Sequence, residues 1–219
     1  MSATVETKNL FDDSRAFLAE LEANNNRDWF HEHKSRCDAL LKRPAEKLSH
    51  DMGAWFDETK GVTPKAKVFR PHRDVRFSKD KTPYHTHLHV LWSLPDGRSW
   101  MLGLSTSYAT VGGGVMSFEK SQLDRYRSAV DADKDKELST LLQAGGWRLD
   151  EPALKRVPAP YPSNHPHETL LRCKGLVAWR DDLEEALAAD PMQALQTAFR
   201  EMNPLHDWLG RALNEARPD

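Results

Sequence analysis

Apolar positions recur with helical spacing at the start of the chain. Leu10, Phe17 and Leu21 stand seven and four residues apart, with Phe11 and Leu18 beside them, which predicts an amphipathic helix. Asp12 or Asp13 would cap its start. Asn24-Asn25-Asn26 would close its end, because Asn tolerates the left-handed conformation. A second helix begins at Arg27-Asp28-Trp29-Phe30 behind Asn26 as N-cap, and Pro44 interrupts it. A third carries Leu48, Met52, Trp55 and Phe56 on one face, with Pro44 in its first turn.

After Gly61 the period changes to two. Leu88, Val90, Trp92 and Leu94 share one face of a predicted strand. Pro95-Asp96-Gly97-Arg98 is a turn, and Trp100, Leu102, Leu104, Thr106 and Tyr108 alternate out of it as the second arm of an antiparallel hairpin. The glycines of Val111-Gly112-Gly113-Gly114-Val115 predict a loop or strand edge where another backbone or a ligand comes close.

Helical spacing then returns. Ser117 would cap a helix carrying Leu123, Tyr126 and Val130. Another runs from about Lys134 to Ala144 and stops at Gly145-Gly146. Pro152 to Pro166 is proline-rich and irregular. From Trp179 onward two amphipathic helices follow, broken near Pro191 and near Pro204. Asp181, Asp182, Glu184 and Glu185 complement the dipole of the first. Helices, strands and helices follow one another with no composition shift marking a linker. That order predicts an α+β fold: one domain over residues 5–216, a central antiparallel sheet flanked by N-terminal and C-terminal helices.

A chain of 219 residues buries roughly 70% of its unfolded surface, so its core needs neither disulfides nor a metal. Mean hydropathy is −0.70 and no apolar run approaches the roughly 18 residues of a membrane span, so no membrane partner is expected. Met1 to Lys8 has no apolar stretch behind a basic start. The two cysteines, Cys37 and Cys173, stand in no CxxC spacing. Together these predict a reduced, cytoplasmic chain with ordinary thiols.

Formal net charge is −2, which excludes nucleic-acid binding by overall basicity. The charge is uneven, however. Lys65, Lys67, Arg70, Arg73, Arg76, Lys79 and Lys81 face only Asp74 and Asp80 within their segment. The local charge is therefore +5 and the remainder sums to −7. Arginine captures a carboxylate or phosphate with two parallel donors. The mixture of Arg, Lys, Asp, Ser, Thr and Tyr has the parts of an anion site. Arg70, Arg73, Arg76, Lys79 and Lys81 would bind the anion, Ser78 and Tyr84 would orient it, and Asp74 or His87 would supply acid–base chemistry. In the competing picture the two acids pair with neighbouring bases and tie loops to helices.

The string Arg73-Asp74-Val75-Arg76-Phe77-Ser78-Lys79-Asp80-Lys81-Thr82-Pro83-Tyr84 resembles the signature of the domain of unknown function 2461 family. Asn24-Asn25-Asn26-Arg27-Asp28-Trp29-Phe30 is similar to its N-terminal NN-x-x-W-F motif. Leu154-Lys155-Arg156-Val157-Pro158 with His165-Pro166, and Leu171 with Lys174, resemble its later motifs. The resemblance implies a single α+β domain across nearly the whole chain, of a kind found widely in bacteria and in fungi. It implies no biochemical activity. This chain departs from the family pattern after Tyr84, where His85 replaces a lysine before Thr86 and His87, and in the extra glycine around Gly113.

His85, His87 and His89 alternate on one strand face, roughly 7 Å between neighbours. With His72, Asp74 or Asp80 they could complete a metal-dependent hydrolase; the family pattern matches only His87, which favours a lone histidine and no metal site. Trp29 with Phe30 could wall a pocket. The leading expectation is binding or processing of an anionic small molecule. The alternatives are a nucleic-acid or protein interaction module using the basic segment, with nearby aromatics stacking on bases, and the metal-dependent hydrolase. The sequence names no cofactor and no oligomeric state.

Overall fold

The first helix, α1 (Leu10–Ala23), turns Leu10, Phe11, Phe17, Leu18 and Leu21 inward, as their spacing dictates. Asn9 occupies its N-cap. Asp12 and Asp13 lie inside the first turn, where they complement the dipole rather than cap the helix. Asn26 caps α2 (Arg27–Cys37) by accepting from the Trp29 amide at 3.0 Å. Pro44 does not break the chain's helical course. A π-helical turn (Asp38–Lys42) carries α2 straight into α3 (Arg43–Lys60). Proline's ring would clash with the carbonyl four residues back in a regular α-helix. The wider turn, in which the Arg43 amide donates to the Asp38 carbonyl, relieves this. α3 buries Leu48, Met52, Trp55 and Phe56 and ends at Gly61, whose φ of +62° is the left-handed cap.

This computed structural model describes residues 9–133 and 136–214. The ends of the expected 5–216 domain, Met1–Lys8 and the expected helix start at Lys134 lie outside them. The fold is α+β: a six-stranded antiparallel sheet with N-terminal and C-terminal helices. The strands are β1 (Lys65–Val68), β2 (His87–Ser93), β3 (Ser99–Ser105), β4 (Ala109–Val115), β5 (Arg148–Leu149) and β6 (Leu176–Arg180), in the order β1-β2-β3-β4-β6-β5. The chain gathers into two compact units. One takes the chain up to Trp92 with Met101–Val111 and Asp181–Thr197. The other takes Ser93–Trp100, Gly112–Arg180 and the chain from Ala198.

In the first unit, β2 alternates as expected: Leu88, Val90 and Trp92 are buried while His87, His89 and Leu91 are half-buried. Trp92 donates its indole N–H to the Ser49 carbonyl at 3.0 Å, joining the strand to α3. The expected strand through Tyr108 ends at Ser105, where the Ser105 hydroxyl accepts from the Ser107 and Tyr108 amides and turns the chain.

The second unit contains α4 (Lys120–Ala132), α5 (Glu137–Gly145), α6 (Glu168–Leu171) and α9 (Asn203–Asn214). Its core gathers Tyr126, Val130, Leu138, Leu171, Leu205 and Leu209. Glu119, not Ser117, caps α4, in a reciprocal pair with Gln122. The sequence reading missed β5 and β6, which pair Arg148 with Trp179 and Leu149 with Ala178. Trp179 lies on a strand, and three helices follow it: α7 (Glu184–Ala189), α8 (Pro191–Glu201) and α9. The glycine run belongs to β4, and its close neighbours are protein. A Cβ on Gly112 would meet the Trp179 ring at 2.5 Å, and one on Gly114 would meet the Leu176 carbonyl oxygen at 2.1 Å.

No helix among the described residues is long and apolar enough to cross a membrane.

Candidate functional site

The basic segment leaves β1 and returns to β2 through a closed loop. His72 and Tyr84 form an isolated antiparallel bridge. The Arg73 amide donates to the Pro83 carbonyl at 2.9 Å and the His85 amide to the Pro71 carbonyl at 2.6 Å. These bonds clamp the neck of the loop. Tyr84 is 7% exposed: its ring stacks on Phe30 at 4.0 Å between centroids and meets the edge of His72 at 5.1 Å.

Above the neck the acids are already engaged. Arg73 donates to Asp80 at 2.5 Å and to the carbonyl and hydroxyl of Thr82. Asp80 also accepts from the Thr82 amide at 2.9 Å. The Thr82 amide, then Arg73, pull the Asp80 carboxyl down to about 2. Asp74 accepts from Arg76 through both nitrogens of its fork, which lowers the carboxyl pKa and makes it a weak base. Lys81 donates to the Val75 carbonyl at 3.0 Å. The loop thus brings Arg73 to Asp80 and Arg76 to Asp74 as separate pairs. Among the described residues, Arg70 and Lys79 make no hydrogen bond or ion pair, although the charge of Arg70 still reaches Asp74.

His85, His87 and His89 share one face, as their spacing dictates. The His87 and His89 rings stack with centroids 3.9 Å apart, and His85 lies tilted against His87 at 4.6 Å. Among the described residues no three His, Cys, Asp or Glu side chains are grouped to hold a metal ion. Burial, and then the mutual repulsion of the rings, pushes the His87 pKa down to about 4 and keeps the ring neutral at pH 7. His89 accepts or donates at 2.8 Å to the Tyr108 hydroxyl.

Beside this array lies a cavity of about 220 Å³. Its walls come from α1 (Phe17, Leu18, Leu21), from α2 (Phe30, Lys34, Cys37), from the π turn and from the strand ends. Of the expected site residues it takes Arg70 and His87. It does not take Arg73, Asp74, Arg76, Lys79, Lys81 or Tyr84, although Tyr84 backs the wall through Phe30. Phe30 is a wall residue, as the Trp29-Phe30 pair suggested. Trp29 instead packs on Phe17 and stacks on His33 at 4.1 Å. Lys34 and Lys42 at the cavity already pair with Asp38 and Glu46, at 3.3 Å and 3.9 Å. Burial raises the Cys37 thiol to about 11, so it is no nucleophile near neutral pH.

Sequence reasoning missed Lys34, Lys42 and the apolar wall. The helical face Phe30, Lys34, Cys37 was legible as an i, i+4, i+7 stripe, but its being opposite Arg70 was not. In the second unit a smaller cavity of about 190 Å³ is lined by Asp150, Glu151, Cys173 and Lys174 among apolar groups. The Cys173 thiol there donates to the Thr169 carbonyl, and burial raises its pKa.

No curated protein and no solved structure matches the chain. The family model described as conserved hypothetical protein (DUF2461) matches residues 13–208, and over that nearly complete span the chain belongs to the DUF2461 family.

Proposed function

We propose that the first unit binds an anionic small molecule, with its apolar body in the α1–α3 cavity and its carboxylate or phosphate on Arg70. One observation carries this reading. Both acids that line the cavity have a cation of their own, Asp38 with Lys34 and Glu46 with Lys42, and the two acids of the basic segment pair with Arg76 and Arg73. Arg70 lines the same cavity with no such partner among the described residues. Its planar fork suits a bidentate anion. His87, neutral on β2 at pH 7, can donate a hydrogen bond to the bound anion. Arg73, Arg76 and Lys81 shape the loop that presents Arg70. Lys79 adds to the positive field that draws an anion toward the segment.

The walls set the second half of the specificity. Each methylene transferred into the cavity contributes about 0.8 kcal/mol, roughly a fourfold gain in affinity. Calorimetric titration with straight-chain carboxylates of increasing length, and with the matching alkyl phosphates, should show that climb until the cavity is full. Arg70→Gln should remove binding of both series, and Lys79→Gln should leave it nearly unchanged. Absence of binding by every member of both series, or equal binding by Arg70→Gln, rejects the reading.

A further inference from the structure

Among the described residues only three large apolar side chains are exposed: Phe69 at 40%, Phe77 at 95% and Met116 at 59%. Isolated exposed apolar groups are ordinary on protein surfaces. Two of these three are aromatic, however, and both fall in the seventeen residues that carry +5.

Each ring also has a cation over it. The Lys67 ammonium lies 4.3 Å from the Phe69 centroid, and the Arg76 guanidinium carbon lies 5.9 Å from that of Phe77. Phe77 is held out by bonded backbone on both sides. The Ser78 amide donates to the Val75 carbonyl, Lys81 donates to the carbonyls of Val75 and Arg76, and Asp74 fixes the Arg76 amide and fork. A ring displayed in this way loses little conformational freedom on meeting a partner.

A flat apolar face beside a cation, repeated along a short chain, matches the alternation of base and phosphate in a single strand. We propose that residues 65–81 form a platform for single-stranded nucleic acid, with Phe77 and Phe69 stacking on bases and Lys67 and Lys79 meeting phosphates. This ligand differs from the one assigned to the cavity, and the two sites adjoin at Phe69, which also lines the cavity. A duplex hides its base faces and carries charge more densely, so the −7 of the remaining chain opposes it more strongly. The two rings are eight residues apart in sequence, at most about 29 Å, so an oligonucleotide of a dozen residues spans both.

The test is fluorescence anisotropy with a labelled twelve-residue oligothymidylate and with a duplex of the same length, from 50 to 200 mM NaCl. Two phosphate contacts predict a slope of log affinity on log salt of about −1.4. Phe77→Ala should weaken single-strand binding roughly 5- to 150-fold with the slope unchanged. Lys79→Gln should flatten the slope by about 0.7. Phe77 makes no core contact, so an unchanged melting temperature confirms that the variant is folded. Equal affinity for duplex and single strand, or full affinity in Phe77→Ala, overturns the proposal. Failure to bind either oligonucleotide while a polyglutamate peptide binds also overturns it, in favour of an acidic protein partner.

Discussion

The side-chain amide of Asn25 makes both hydrogen bonds that a neighbouring strand would make to the backbone of Tyr84. Its Nδ2 donates to the Tyr84 carbonyl at 2.9 Å, and its Oδ1 accepts from the Tyr84 amide at 3.1 Å. Two stretches that look unrelated in sequence, the asparagine run and the end of the basic segment, are thereby one joint. Both backbone groups of a buried residue are satisfied by one side chain, which leaves Tyr84 free to stack on Phe30.

Removing that amide orphans a donor and an acceptor together. Asn25→Ala should cost about 2–4 kcal/mol, because each buried polar group left unmade costs about 1–3 kcal/mol and partial solvation relieves some of it. Asn24→Ala serves as the control: its Nδ2 bonds only the Glu20 carbonyl at an exposed site, and its loss should cost less than about 0.5 kcal/mol. Urea denaturation midpoints distinguish the two, and equal midpoints would refute the joint.

The stacked histidines make stability depend on pH in a defined direction. The folded His87 pKa is about 4, against 6.5 when exposed, so between these values the unfolded chain binds more protons. The stability is fully present above pH 6.5, is lost as pH falls toward 4, and is flat below 4. His85 and His89 are shifted the same way, each first by burial. Because the ring is half-exposed, screening reduces the effect of His87 to on the order of 1–2 kcal/mol. Urea unfolding of His87→Gln at pH 7.5 and at pH 4.5 should show a smaller pH difference than the wild type. An identical difference would contradict the assignment.

Two glycines predict opposite outcomes for the same substitution. Gly114 has φ of +144°, and a Cβ there would sit 2.1 Å from the Leu176 carbonyl oxygen. Gly114→Ala should therefore cost about 3 kcal/mol or more, or prevent folding. Gly53 lies inside α3 with nothing within 4 Å of a built Cβ. Gly53→Ala should stabilise by about 0.5–1 kcal/mol, raising the melting temperature by roughly 1–4 °C. A lowered melting temperature for Gly53→Ala would show that its helix position is not the governing factor.

The elements legible in the sequence are those whose periodicity is local. Leu10 to Leu21, Leu48 to Phe56 and Leu88 to Trp92 announce their own secondary structure, because one face is wet and the other dry. β6 shows no such contrast. Leu176, Val177 and Ala178 are all buried, so no alternation marks the strand, and its pairing partner Arg148–Leu149 is two residues long. The basic segment was legible as charge, and its pairing was not. Whether Arg73 meets Asp80 or a ligand depends on a loop neck closed by Pro71, Pro83 and His85, which no local pattern encodes. The cavity wall was less legible still, since Phe17, Phe30 and Arg70 meet only through tertiary packing.

The π turn at Asp38–Lys42 has a consequence for inheritance. It holds one residue more than the α turn it replaces, so the extra residue is absorbed in the wide turn and does not rotate everything downstream by the about 100° it would in a regular helix. The wall stripe Phe30, Lys34 and Cys37 continues across the turn into Leu41, Lys42 and Glu46. Point substitutions in the wall change its chemistry and leave its phase alone. Deleting a single residue from Asp38–Lys42 would restore an ordinary α turn, keep α3 in phase with α2 and bring back the clash of the Pro44 ring that the wide turn relieves. Chain length across these five positions is therefore linked to Pro44: the shorter turn suits a chain in which that proline is replaced as well.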